Sequence, residues 1–400
     1  MNAKQILQEA NSLKDIIIQH RRHLHQNPET GFQLTKTKEY VKEELIKMGY
    51  EPIDCGKMGL YALAGKKEGK TFLIRADMDA LPMKEETQLD FKSTNNNMHA
   101  CGHDMHTAML LGAAQLLKNH ENEINGTVKL MFQPAEEIFE GSLDMIENGI
   151  LENPKVDAAL MIHVSSAVLL PTGGAVICSP GITAPGADLF EITVQGKGCH
   201  GSMPQLGIDP INIASHIVIN LQEIIAREVA MADSVALTIG SIHGGSAPNI
   251  IPDSVSITGS LRTFDEEIRA HIKQRIIDIC ENTAKTFQAS AKVKYTSGCP
   301  AFDNDKNLSQ LVTQYTTELL ADKALSMADL SGASKSAGSE DFAYISQKVP
   351  AIMISLGAGN TNDGYKYPLH HPSVEFDEDA LPIGTAIHTY NAIKWLEENK

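Results

Sequence analysis

Positive charge is scarce in this chain. Lys and Arg number 34 against 50 Asp and Glu in 400 residues, giving a formal net charge of −16. No basic run is longer than a few residues, so the electrostatic footprint a nucleic-acid partner requires is missing. Aromatic residues are few as well, at 5%, with a single Trp. No segment approaches the roughly 20 consecutive apolar residues that cross a bilayer, and no membrane association is expected. The opening MNAKQILQEANSL holds no apolar core of signal-peptide length, which makes a cytoplasmic location the expectation. Six cysteines, Cys55, Cys101, Cys178, Cys199, Cys280 and Cys299, are too sparse for a disulfide-stapled scaffold and read as reduced thiols. Five of them read as small buried residues; Cys101 stands apart because of its neighbours.

Hydrophobic residues at 42% and charged residues at 21% describe an ordinary globular protein. Its length exceeds one typical domain, and two are expected. Apolar residues recur at helical spacing from Ile6 to Leu24, then Asn27, Pro28 and Gly31 stop the helix; a second helix is predicted from Thr37 to Met48. Short β-rich runs follow (YALAG, TFLIRADMD, TVKLMFQPAEE, AALMIHV), alternating with helical patterns such as TAMLLGAAQLLKNH. That alternation predicts an α/β domain built on a mixed, largely parallel sheet flanked by helices. The Pro- and Gly-rich stretch from Ser179 to Ala187 reads as a boundary. Beyond it the order is strand, helix, two strands, helix, strand, the ferredoxin-like β-α-β-β-α-β pattern. Mixed α/β texture returns near Gly298. The prediction is a discontinuous catalytic domain, residues 1–183 and 297–400, interrupted by an inserted domain over 184–296.

Five segments carry chemistry. The segment HACGHDMHT, His99 to Thr107, packs three His, a Cys and an Asp into nine residues at a loop-to-helix junction. Cys101 and His103 could reach one metal from a tight turn that Gly102 permits; His106 and Asp104 could orient those ligands, or Asp104 could simply cap the helix. The segment QPAEE, Gln133 to Glu137, ends a strand, where α/β domains build their sites, and offers one carboxylate as ligand and one as general base. Its alternative is a solvated helix start. His163 closes an apolar strand, and a backbone partner alone would satisfy it. The pair His370-His371 precedes the final helix. Asp77 and Asp79 end another apolar strand in RADMDALP. Several strand ends of one domain thus carry Cys, His and carboxylate groups, which favours a two-metal hydrolytic site.

With these segments, GKGCHGSMPQLGIDPI, APNIIPD, GSEDF and LHHP, in this order, the chain resembles the aminoacylase/carboxypeptidase metallopeptidases over nearly its whole length. The resemblance is to the branch of hippurate hydrolases, N-acetyl-amino-acid deacetylases and indole-acetyl-amino-acid hydrolases. It implies a zinc-peptidase-type fold whose inserted domain is a lid and a dimerisation surface. It also implies a pair of divalent ions, manganese or zinc, held by Cys101, His103, Glu137, His163 and His370, with His371 as the alternative last ligand. Glu136 becomes the general base, and His200 the lid donor to the tetrahedral oxyanion, acting in its own subunit or across a dimer. Asp79 matches an acid that orients a ligand. Where Asp77 stands, relatives outside this branch carry a metal-binding His. Asn249 and Arg262 match positions near bound substrate, and an Arg fork suits a free α-carboxylate; a surface salt bridge is the plainer reading of Arg262.

The resemblance therefore implies hydrolysis of a small-molecule N-acyl amino acid by a homodimer or homotetramer. A dipeptidase, carboxypeptidase or aryl-glutamate hydrolase keeps the fold and changes the substrate. A catalytically silent binding protein would be expected to have lost a ligand or Glu136.

Overall fold

A computed structural model describes residues 2–65, 68–327, 335–336 and 338–399. The chain divides into two units. One comprises Met1–Thr183, Asp303–Lys335 and Asp341–Lys400; the other comprises Ala184–Phe302 with Ser336–Glu340.

The first unit is organised on an eight-stranded sheet. Its strand order is Ile53–Cys55, Gly59–Gly65, Thr127–Gln133, Thr71–Asp77, Ala158–Ser165, Ala351–Gly357, Ala175–Ile177, Ala324–Ser326. The four central strands, from Thr127–Gln133 to Ala351–Gly357, run parallel, while Gly59–Gly65 and Ala175–Ile177 join them antiparallel. Strands Thr71–Asp77 and Thr127–Gln133 are buried at every position, which is why they read as continuous apolar runs rather than alternating ones. Parallel strands share one carboxyl edge, so Asp77, Gln133, His163 and Gly357 all emerge on the same side.

Two long helices cover the sheet and are themselves largely buried, His103–Asn119 and Leu381–Glu398. Thr385 Oγ donates to the Met109 carbonyl at 3.1 Å, tying them together. The N-terminal stretch predicted as one helix is two, Ala3–Ser12 and Lys14–Gln26, with Leu13 (φ −92°, ψ 1°) between them. Ser12 Oγ donates to the Glu9 carbonyl at 2.6 Å, a local side-chain bond that competes with helix propagation. Periodicity alone does not register such a break.

The second unit follows the β-α-β-β-α-β order through strand Gly186–Gln195, helix Pro210–Glu223, strands Val235–Gly244 and Ser254–Thr263, helix Glu266–Thr286 and strand Ser290–Cys299. Spatially, Val235–Gly244 comes first, then Ser254–Thr263, Gly186–Gln195 and Ser290–Cys299, all antiparallel. Phe190, Ile192, Ile257 and Leu261 on the strands pack with Ile213, Ile217, Ile272 and Ile276 on the helices. Both helices start on an Asp, Asp209 and Asp265, whose carboxylates accept from the first-turn amides.

None of the six cysteines forms a disulfide, in keeping with their reading as thiols. Among the described residues no helix is long and apolar enough to cross a membrane.

Candidate metal centre

The turn His99–His103 leads into helix His103–Asn119 through Gly102, whose φ of 86° is left-handed. A Cβ there would lie 2.4 Å from Val164 Cγ2, so only glycine lets the turn press against the neighbouring strand. That turn sets Cys101 and His103 over the carboxyl edge of the sheet. Sγ of Cys101 lies 3.6 Å from His163 Nε2 and 3.2 Å from His370 Nε2. Oε1 of Glu137 lies 3.6 Å from His370 Nε2 and 3.9 Å from His103 Nε2, and Oε2 of Glu136 is 4.0 Å from the same His103 atom. Potential ligand atoms of Cys101, His103 and His163 lie within 4.8 Å of one another, as do those of Cys101, Glu137 and His370, and those of His103, Glu136 and Glu137.

Hydrogen bonding decides which nitrogen each imidazole presents. Nδ1 of His103 faces the Asp79 carbonyl at 2.8 Å, and Nδ1 of His163 faces the Val164 carbonyl at 2.8 Å. A carbonyl only accepts, so both rings carry their proton on Nδ1 and turn the Nε2 lone pair to the pocket. His371 is wired the opposite way. Its Nδ1 accepts the Ser373 amide at 3.0 Å, and its ring stacks on Tyr367 at 4.3 Å between centroids. Of the pair, His370 joins Cys101 and Glu137, from a backbone held at φ 65°.

The QPAEE segment is not a solvated helix start. Glu136 is 6% exposed, and the chain there is a turn with Ala135 and Phe139 both at φ 56°. Left-handed backbone at such residues costs about 1–3 kcal/mol each, so the surroundings must hold it. Asp79 supplies one restraint: Oδ1 accepts from the Glu136 amide at 3.0 Å and Oδ2 from the Glu137 amide at 3.2 Å. Asp79 therefore orients His103 through its carbonyl and the glutamate pair through its carboxylate.

Asp77 stands in the same pocket, its Oδ2 3.6 Å from His103 Nε2, and its carboxylate groups with His103 and His106 as potential ligands. It accepts from His106 Nδ1 at 2.6 Å and from the Arg75 guanidinium. The other His106 nitrogen accepts the Val164 amide at 2.9 Å. Burial pushes His106 down to about 4 against the pull of Asp77, so it works as a neutral strut between two strand ends. Asp104 accepts from Arg21 Nε and His25 Nδ1, each at 2.8 Å, anchoring the first turn of the site helix to helix Lys14–Gln26. Despite complete burial, its carboxyl is held well below the ordinary range by Arg21 and His25.

Burial and neighbouring charges move the ionisable groups of the pocket away from their ordinary values. Burial, reinforced by Glu137, pushes the Cys101 thiol well up. Burial, with Asp79 and Asp77 adding to it, lifts the Glu137 carboxyl to about 7. Burial disfavours a charged His103, yet Asp77 and the bond to Asp79 outweigh it and raise that pKa well above normal. These shifts follow from burial and from several ionisable groups lying close together. His103 Nε2 and Glu137 Oε1 are buried without a hydrogen-bond partner, which few native side chains tolerate. Thiolate, imidazole and carboxylate together suit zinc or manganese, and these residues fit such ions.

On the inserted unit, His200 lies on the short strand Cys199–His200, paired with Ile250–Ile251. The Gly201 amide donates to the Asn249 carbonyl at 2.8 Å, so His200 and Asn249 are neighbours. Nδ1 of His200 accepts from the Ser202 amide at 3.1 Å, which leaves Nε2 to carry the proton and act as a donor. Arg262 sits on strand Ser254–Thr263 with Nη1 donating to Ser339 Oγ at 2.6 Å.

Sequence reasoning left unassigned Arg75, Gln133 and Asp341, which lie buried behind the glutamate turn. RADMDALP, QPAEE and GSEDF contain them, but local pattern does not reveal that they touch.

Three comparisons bear on this site. Residues 73–393 match the family described as Peptidase family M20/M25/M40. An N-acetyl-L-cysteine deacetylase of Bacillus subtilis (strain 168) is 38% identical over 97% of this chain and 91% of its own length. An IAA-amino acid hydrolase of Arabidopsis thaliana is 36% identical over 98% of this chain and 89% of its own. Among solved structures, a dinuclear metal binding peptidase of the M20 family from Bacillus subtilis superposes with a TM-score of 0.77 at 31% identity, covering 97% of this chain and 99% of that one.

Proposed function

This chain belongs to peptidase family M20/M25/M40, and from that premise we propose that it is a metal-dependent amidohydrolase cleaving N-acyl amino acids. The observation that carries the reading is the convergence of Cys101, His103, Glu137, His163 and His370 beside Glu136, with His103 Nε2 and Glu137 Oε1 buried without a hydrogen-bond partner. The similarity to a deacetylase and an IAA-amino acid hydrolase supports the acyl-amino-acid substrate class.

Those five residues are the proposed holders of two divalent ions, manganese or zinc. Bound there, the ions supply Lewis acidity to the amide carbonyl and acidify water. Glu136, buried on its rigid turn, takes the proton of the attacking water and returns it to the departing amine. Asp79 keeps Glu136 and Glu137 in place. His200, with its proton on Nε2, is the proposed donor to the oxyanion, from its own chain or from a second copy. Arg262 and Asn249 are proposed to hold the free α-carboxylate, for which a guanidinium fork is suited. The reading extends to a cytoplasmic homodimer or homotetramer, supported by the resemblance.

The test is release of free amino acid from N-acetyl-methionine, N-acetylcysteine and hippurate, set against dipeptides and an aryl-glutamate. Turnover of the acylated substrates alone, with KM raised by Arg262→Lys, is the expected outcome. Turnover confined to dipeptides would reassign the substrate within the same fold, and turnover of none would overturn the proposal.

A further inference from the structure

The GSEDF segment has no role in the chemistry above, yet Asp341 is wholly buried behind the glutamate turn. Its Oδ1 accepts from Gln133 Nε2 at 2.7 Å and from Arg75 Nη2 at 3.1 Å, and its Oδ2 accepts the Ser142 amide at 2.9 Å. Gln133 is the residue before the turn and Ser142 lies just after it, in the first turn of helix Gly141–Glu147. One carboxylate thus holds both ends of the segment whose middle, Glu136 and Glu137, is held by Asp79.

Arg75 closes the arrangement. Its Nε donates to Gln133 Oε1 at 2.8 Å, so Arg75, Gln133 and Asp341 form a ring in which each pair is hydrogen-bonded. Its Nη1 donates to Asp77, the carboxylate that also accepts from His106. A buried, fully connected polar ring of this kind fixes geometry that apolar packing would leave adjustable. The turn needs that fixing, because it contains two non-glycine residues at left-handed φ.

We propose that Asp341 is a positioning residue for the hydrolytic reaction, acting through Gln133 and the Ser142 amide to hold Glu136 where it can accept a proton from water. The inference rests on the role given to Glu136 above. A carboxylate is required because three donors converge on it, and Asn would turn an amide hydrogen toward one of them. The substrate-facing residues are not altered by this change, so the cost should fall on kcat rather than KM.

The experiment compares Asp341→Asn, Gln133→Ala and the double variant, all as full chains loaded with manganese or zinc, with Glu136→Gln alongside. Metal content per chain and the far-ultraviolet circular dichroism select folded, loaded enzyme. The expected result is that Asp341→Asn lowers kcat at least about tenfold with KM within about threefold, and that the double variant is no slower than the worse single variant, since both break one ring. Asp341→Glu should leave part of the defect in place, because a longer side chain cannot keep both anchors.

Unchanged kcat in folded, loaded Asp341→Asn would overturn the proposal, as would fully multiplicative effects in the double variant. If Asp341→Asn fails to fold, Gln133→Ala carries the test alone, and wild-type kcat there overturns it. Loss of activity in Glu136→Gln with normal kcat in the ring variants would sink this inference only. Retained activity in Glu136→Gln would sink the functional reading beneath it.

Discussion

Asp79→Asn separates a positioning carboxylate from a merely buried one. The two oxygens of Asp79 receive the amides of Glu136 and Glu137 at 3.0 and 3.2 Å. Asn retains one oxygen and sets an NH2 against the other amide, so one bond to a charged acceptor is lost and one buried donor is left unpaired. The first loss is worth about 1.5–3 kcal/mol and the second about 1–3 kcal/mol. The bond from His103 is made to the Asp79 carbonyl at 2.8 Å and survives the substitution, which keeps His103 in place while the turn loosens. If half of a total near 4 kcal/mol falls on the geometry of Glu136, kcat drops by about thirtyfold, since ~1.4 kcal/mol is a factor of ten. The assay is steady-state hydrolysis at saturating metal, with melting temperature measured in parallel. A kcat within twofold of wild type, whatever happens to melting, would refute the reasoning.

Three further predictions concern the scaffold. A Cβ on Gly141 would lie 1.6 Å from the Pro134 carbonyl oxygen, so Gly141→Ala should displace the glutamate turn and abolish turnover, read as loss of activity in chain that still folds by circular dichroism. The Lys129 ammonium, buried, donates to the carbonyls of Ile150, Glu152 and Pro154 at 2.8, 2.8 and 2.9 Å; Lys129→Met strands three acceptors and should cost about 3 kcal/mol or more in urea unfolding, with kcat of the folded fraction unchanged. His25 is buried, and burial together with Arg21 disfavours its charge, but Asp104 and Glu85 outweigh both and raise its pKa. A raised folded pKa contributes stability that is complete below about 6.5 and is lost as pH rises through the folded value. Metal-free protein should therefore lose urea resistance as pH rises from 6 through that range, and His25→Gln should lack that part of the slope.

The sequence exposed what is local. Cys101 and His103 stand two residues apart beside a glycine, Glu136 and Glu137 are adjacent, and each group closes or follows an apolar strand, so the carboxyl edge of a parallel sheet was the natural place to assemble them. The order of elements in the second unit was equally legible, because each strand and helix there is set apart by its own run of residues. What stayed hidden depends on contacts made across the chain. Asp341 reaches Arg75 and Gln133 over more than 200 residues, and nothing in the spelling of GSEDF distinguishes a buried acceptor from a loop acid. The pair His370-His371 was ambiguous because only the Ser373 amide and the Tyr367 ring, both specified by the fold, turn one ring away. The backbone strain at Ala135 and Phe139 is similarly invisible, since neither residue type announces a left-handed conformation.

A metal pair held by Cys101, His103, Glu137, His163 and His370 is proposed to work with Glu136 as base. This is tested most directly by stripping metal with a chelator, restoring manganese or zinc singly, and counting bound ions while assaying N-acetyl-methionine hydrolysis in wild type and Glu136→Gln. The expected result is no turnover in the stripped enzyme, two ions regained with activity in wild type, and two ions regained without activity in Glu136→Gln. Undiminished hydrolysis by the stripped enzyme, or by the loaded Glu136→Gln variant, would contradict it.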